Sequence, residues 1–127
     1  MAYKVVLEKK FKARQGLKSP IRNAQSLPSL QPPDGYDLSL RVGIAFADRQ
    51  LGERGWFIDT DSVESELDKI AAHLAAGTWT DLFDFRPTFE HVTRWAHQQL
   101  QPLIPQLDYV EIHNRTLGVS TKYTGDN

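Results

Sequence analysis

The sequence contains no cysteine. That excludes disulfides, thiolate metal sites and cysteine nucleophiles together, and it fits a reducing, cytoplasmic setting. Long apolar runs are missing too: Val5, Val6 and Leu7 are halted by Glu8, so neither a signal peptide nor a membrane span is expected. No charge of one sign dominates, with 15 Lys and Arg against 16 Asp and Glu. A nucleic-acid binder would show a basic stripe with interleaved aromatics. There is no glycine-rich phosphate loop, nucleophile elbow or paired-carboxylate motif, and no internal repeat. The charge that is present is unevenly placed. Residues 1–59 carry ten basic and six acidic side chains, residues 60–127 five and ten, a polarity able to steer an anionic ligand toward the N-terminal half.

A chain of 127 residues is expected to form one domain, 1–127, near the size at which partner subunits help complete burial. Its clearest pattern lies in residues 36–59, YDLSLRVGIAFADRQLGERGWFID. Leu38, Leu40, Val42, Ile44 and Phe46 fall on every second residue, which predicts a strand with one apolar face. Ser39, Arg41, Gly43, Ala45 and Ala47 take the other face. A turn is expected over 48–54, leading into Gly55-Trp56-Phe57-Ile58-Asp59.

Residues 3–14 alternate Tyr3, Val5, Leu7, Phe11 and Ala13 with Lys4, Glu8, Lys10, Lys12 and Arg14, a strand with one wet, basic face. Its lysines read as solvated or edge-protecting groups. Residues 16–35 hold four prolines and no clean period, long for a connection in a compact domain. Lys18, Arg22 and Asn23 are that segment's candidate ligand contacts, set against plain solvent exposure. Pro32-Pro33-Asp34-Gly35 predicts a turn.

Beyond Asp59, Asp61 and Glu64 have the spacing of a capping box, and Val63, Leu67, Ile70, Ala71 and Leu74 keep helical spacing up to a terminator at Gly77. Residues 78–86 form a connector rich in Trp79, Leu82, Phe83 and Phe85. Thr88 is the expected N-cap of a second helix that sends Val92, Trp95, Ala96 and Leu100 inward, and Pro102 and Pro105 end it. Two more strands are predicted at 108–115 and 118–123. The order strand, strand, helix, helix, strand, strand predicts an α+β fold, a four-stranded antiparallel sheet with both helices on one face. Its open edges favour association into a closed barrel.

The four histidines do not suggest a metal centre. His91 and His97 are separated by roughly 240° around one helix, and His73 and His113 lie on other elements. His113, facing away from Asn114, is retained as a possible acid or base across a subunit interface. Trp56, Trp79 and Trp95 could stack a flat ring, although tryptophans of this kind more often fill cores or interfaces. The Asn114-Arg115-Thr116 sequon is read as coincidental.

Phe11-Lys12-Ala13-Arg14-Gln15-Gly16-Leu17, Gly55-Trp56-Phe57-Ile58-Asp59, Pro87-Thr88-Phe89-Glu90 with Trp95, and the strand ending at Asn114 together resemble the 6-pyruvoyl-tetrahydropterin synthase and 6-carboxytetrahydropterin synthase family, in its order and over nearly the whole chain. The resemblance implies the T-fold, with sheets joined into barrels, usually in hexamers, and pterin-like ligands bound between subunits. It also implies a zinc ion held by a histidine in the first strand and a His-x-His pair opening the second. Gln15, Tyr36 and Leu38 stand at those three positions. Glutamine is a weak zinc ligand, a phenol must ionise to bind, and leucine has no donor atom. The family's cysteine would fall within 16–35, where there is none, and its Asp-His pair near Thr78-Trp79, with Asp81 close by.

What the resemblance retains is part of the ligand cradle, namely Thr88, Glu90 and Asn114. Asn114 stands where the family has a glutamate that grips the guanidine-like edge of a pterin, and an amide would retune that grip toward an edge presenting both a donor and an acceptor. The implied function is binding of a pterin-like or purine-like heterocycle at a subunit interface without zinc-dependent lyase chemistry. Neither metal nor other cofactor is expected, and no nucleic-acid or membrane partner; the partners are the small molecule and further copies of the chain, as a hexamer. Two other readings stay open. The chain could be an oligomeric structural or interaction protein in which Thr88 and Glu90 merely start a helix, or a zinc enzyme with ligands placed elsewhere.

Overall fold

The computed structural model describes residues 2–18, 24–27, 32–50 and 59–125. Expectations placed on Arg22, Asn23, Trp56, residues 55–58 and residues 51–54 of the predicted turn lie outside them. The described elements run β1 (Ala2–Ala13), β2 (Tyr36–Ala47), a short 3-10 turn (Asp48–Gln50), α1 (Thr60–Ala75), α2 (Trp79–Leu82), α3 (Phe89–Leu100), β3 (Leu107–Asn114) and β4 (Val119–Tyr123). The four strands form one antiparallel sheet in the order β1-β2-β3-β4, the α+β arrangement expected.

The period-2 pattern of β2 does what an alternating strand must. Leu38, Leu40, Val42 and Ile44 are fully buried and join a core with Val63, Leu67, Ile70 and Leu74 of α1 and Val92, Ala96 and Leu100 of α3. α1 lies over β1, while α3 lies over β3 and β4. Lys9 interrupts the apolar alternation of β1 on this same face, where it meets Asp68 of α1 at 2.8 Å. The Pro32–Gly35 turn forms as predicted. Gly35 donates its N–H to Pro32 O at 3.0 Å and adopts φ 98°, a conformation that favours glycine.

The other face of the sheet is less open than simple alternation implies. Ser39 and Gly43, both assigned to it, are buried. Gly43 lies beneath Tyr109, whose Cε1 would come within 2.1 Å of an added Cβ. The pairing of β2 with β3 shifts register between Gly43 and Ile44 at that point. Arg41 is held by Glu8 on one side and by Glu111 at 3.3 Å on the other. Its guanidinium, by direct hydrogen bonding, keeps the Glu8 carboxyl below the usual glutamate range.

Two local expectations are corrected and a third is refined. The N-cap of α1 is Asp59 and not Asp61: the Asp59 carboxylate accepts from the N–H of Asp61 at 3.0 Å, and its other oxygen accepts from Ser62 Oγ. Both aspartates suit a cap, and the chain enters the helix so that the earlier one reaches the Asp61 N–H and the Ser62 hydroxyl. α1 does stop just before Gly77 as expected, its last residue being Ala75, but the C-cap Ala76 is right-handed and Gly77 has no positive φ, so the glycine does not form a left-handed cap. The 78–86 connector contains α2. Its Trp79 is completely buried, with Nε1 donating to Leu74 O at 2.9 Å. Among the described residues, no helix is long and apolar enough to cross a membrane.

Candidate functional site

α3 begins where Thr88 adopts extended geometry (φ −66°, ψ 162°) and its hydroxyl accepts from the N–H of His91 at 3.1 Å. The predicted cap is therefore in place. Glu90 follows in the first turn, exposed, where the helix dipole favours a negative charge. Phe89 anchors this end of the helix, its ring packing edgewise on Tyr36 (5.8 Å between centroids) and on Trp79 (5.4 Å). Since Tyr36 opens β2 and Leu38 pairs with Asn114, the start of α3 and the end of β3 lie at the same end of the sheet. Thr88, Glu90 and Asn114 thus share a region but do not touch through any hydrogen bond or ion pair.

Asn114 is 2% exposed. Its Oδ1 accepts from the N–H of Leu117 at 3.0 Å, and its backbone carbonyl accepts from Gly118 at 2.8 Å, closing the turn into β4. The side-chain amide is thereby oriented, because a flipped amide would set NH2 against the Leu117 N–H. Nδ2 is left buried with no hydrogen-bond partner. Asn114 consequently offers a donor rather than a balanced donor and acceptor pair.

The three positions that the family resemblance assigns to zinc ligation are occupied by packing and backbone contacts. Gln15 is 9% exposed and donates its Nε2 to Pro87 O at 3.1 Å, tying the end of β1 to the segment before α3. Trp79 donates its backbone N–H to Arg14 O and Thr80 to Gln15 O. Gly16, at φ 84°, passes so close to Thr78 and Thr80 that a Cβ would sit 2.5 Å from the Thr80 hydroxyl. Burial raises the Tyr36 phenol above its ordinary range, which opposes the ionisation a metal ligand needs. Leu38 is fully buried. This donor set does not fit zinc.

The histidines serve other roles. His73 stacks on Trp95 at 5.2 Å, and His97, more deeply buried than the sequence suggests, packs edgewise on Tyr123. His91 donates its Nδ1–H to Arg86 O at 2.8 Å, since a carbonyl can only accept. His113 lies on the opposite face of the sheet from Asn114, its Nδ1 hydrogen-bonded to Ser120 Oγ. Among the described residues, no group of three or more His, Asp or Glu is placed to hold a metal. Asp81, beside the position of the family's Asp-His pair, is exposed. Sequence reasoning passed over Gln15 Nε2 and the buried Ser39 hydroxyl, since both depend on contacts between distant segments.

A family model described as 6-pyruvoyl tetrahydropterin synthase matches residues 6–126. The solved structure of Caenorhabditis elegans 6-pyruvoyl tetrahydropterin synthase is similar with a TM-score of 0.67 over 99% of this chain and 96% of that one, at 14% identity, a likeness of fold. A search of curated protein sequences finds no match. From the nearly full-length family match, with an α+β T-fold to agree with it, the chain belongs to the 6-pyruvoyl tetrahydropterin synthase family.

Proposed function

We propose that this chain binds a pterin-like or purine-like heterocycle at a subunit interface of a homo-oligomer, on the family's pattern a hexamer, and has left the family's zinc-dependent lyase chemistry behind. Thr88, Glu90 and Asn114 are the residues assigned to the ligand. The observation that carries the reading is the buried, unpartnered Nδ2 of Asn114 at the end of β3. An orphaned buried donor costs about 1–3 kcal/mol, a penalty an incoming acceptor removes. With Oδ1 already engaged by Leu117, the amide favours a ring edge that presents a carbonyl over the guanidine-like edge that a carboxylate grips. The loss of zinc chemistry rests on the substitution of Gln15, Tyr36 and Leu38, whose side chains are spent on a hydrogen bond and on core packing.

A second reading is favoured by a specific observation. Thr88 already caps a helix and Asn114 already closes a turn, so both side chains have structural work without any ligand. Contact with Nδ2 also requires its cover to open, because Asn114 is only 2% exposed. On this reading the chain is an oligomeric structural or interaction protein. Calorimetric titration with a panel of pterins and purines separates the two. Ligand binding predicts heat with at least one oxo-substituted ring, weakened at least tenfold in Asn114→Ala and Glu90→Ala. No heat and no thermal shift with any of them would leave the structural reading standing. Stoichiometric zinc in the purified protein, by elemental analysis, would overturn the claim that the metal is lost.

A further inference from the structure

On the face of the sheet turned away from the helices, strand register aligns one residue from each strand in a single row: Lys10, Ser39, His113 and Ser120. The adjoining row is Glu8, Arg41, Glu111 and Lys122, in which charge alternates across the sheet. Arg41 there is paired on both sides, and Lys122 sits over the Tyr109 ring at 4.4 Å. On the other side, Lys12 lies 3.9 Å from Asp37, while Arg115 reaches Leu38 O at 3.4 Å. The Lys10 row differs from both because it holds no carboxylate. Lys10 is exposed and makes no ion pair with any described residue. Across these rows the five cations Arg41, Lys122, Lys12, Lys10 and Arg115 outnumber the three acids Glu8, Glu111 and Asp37, so this part of the face is net positive although Lys10 and Arg115 also feel Glu8.

At the centre of the row, Ser39 is completely buried and its hydroxyl has no hydrogen-bond partner. Buried hydroxyls are almost always satisfied, so this one marks a place where an acceptor belongs. His113 faces it from β3, half-buried, with Nδ1 taken by Ser120 and Nε2 left over. We infer that Lys10, Ser39 and His113 form a site for a small oxyanion, of the phosphate class, on the sheet face opposite the Thr88, Glu90 and Asn114 region. The Ser39 hydroxyl donates to one oxygen, and Lys10 supplies the counter-charge. His113 donates through its Nε2–H, with Nδ1 accepting from the Ser120 hydroxyl that holds the ring. A hydroxyl, an ammonium and an imidazole aligned in one row that itself holds no carboxylate suit an anion and repel a cation. Lys10 is exposed on this face, and contact with the Ser39 hydroxyl requires the cover over that completely buried side chain to open.

Calorimetric titration of the full chain with inorganic phosphate at low ionic strength tests this directly, with ribose 5-phosphate as a parallel arm. The expected result is saturable binding at one site per chain, weakened about tenfold by Ser39→Ala and by Lys10→Met, and unchanged by Glu90→Ala. Equal affinity for both probes assigns the site to the free ion, and tighter binding of the ester assigns it to an esterified phosphate; either supports the site. Thermal unfolding of Ser39→Ala guards against a folding artefact, because removing an unpartnered hydroxyl should leave stability equal or higher. Overturning results are an absence of saturable heat in the parent chain, or Lys10→Met abolishing binding that Ser39→Ala leaves untouched. The latter would mean diffuse attraction to charge.

Discussion

Gly43 and Tyr109 show how a single absent side chain shapes the sheet. Gly43 has ordinary strand geometry, and what it provides is space, since an added Cβ would stand 2.1 Å from Tyr109 Cε1 and 2.5 Å from Cδ1. Gly43→Ala is therefore expected to destabilise the chain by about 1–3 kcal/mol through overpacking. In a Tyr109→Ala background the same substitution should cost much less, because the clashing ring is gone. Denaturant unfolding of the four-member cycle checks this, and strict additivity would contradict it. Trp79 makes the complementary point. A tryptophan that could have stacked a ligand is instead fully buried, its indole N–H satisfied by Leu74 O. Nothing in its own sequence neighbourhood distinguishes those two fates, because burial is set by β1, α1 and α3 together.

Among the elements, those with a strong period were legible and their ends were less so. The apolar stripe of α1 is buried at all five expected positions, because a 3.6-residue period has only one way to meet an apolar sheet. The cap was misplaced by two residues, since Asp59 and Asp61 offer the same chemistry and only the geometry of chain entry chooses between them. Asp59→Ala should therefore cost about 1 kcal/mol, while Asp61→Ala, at an exposed first-turn position, should cost only a few tenths from the dipole. Thermal unfolding of both variants distinguishes them, and equal losses would contradict the Asp59 cap. Helix α2, at four residues, is too short to leave a periodic trace. It exists because its backbone is tied to Arg14 and Gln15.

At the scale of the whole molecule the sheet, among the described residues, ends in two open edges, β1 and β4. Long unpaired edges are a template for further pairing, and barrel closure through other copies removes them. β1, twelve residues long, is the larger template, and Val6 on it is 52% exposed. Light scattering of the purified chain is expected to give a mass of several subunits, about six on the family's pattern, whereas a monomer at micromolar concentration would remove the interface that the proposed heterocycle site needs. The candidate site itself was partly visible from motif order. Thr88 was found at its cap and Asn114 at a buried strand end, but the sequence could not tell that Oδ1 would be occupied and Nδ2 left alone.

What the sequence determined by itself is everything that depends on neighbours along the chain: strand alternation, helix stripes, the Pro32–Gly35 turn and the Thr88 cap. It also carried the family, through motifs spread over nearly its whole length. Only the tertiary structure decided which side chains from distant segments meet. Gln15 reaches Pro87 across 72 positions, and Lys10, Ser39, His113 and Ser120 share a row only because of strand register. Register is a non-local property, since slipping any one pair by a single residue would turn that strand's side chains to the other face and dissolve the row.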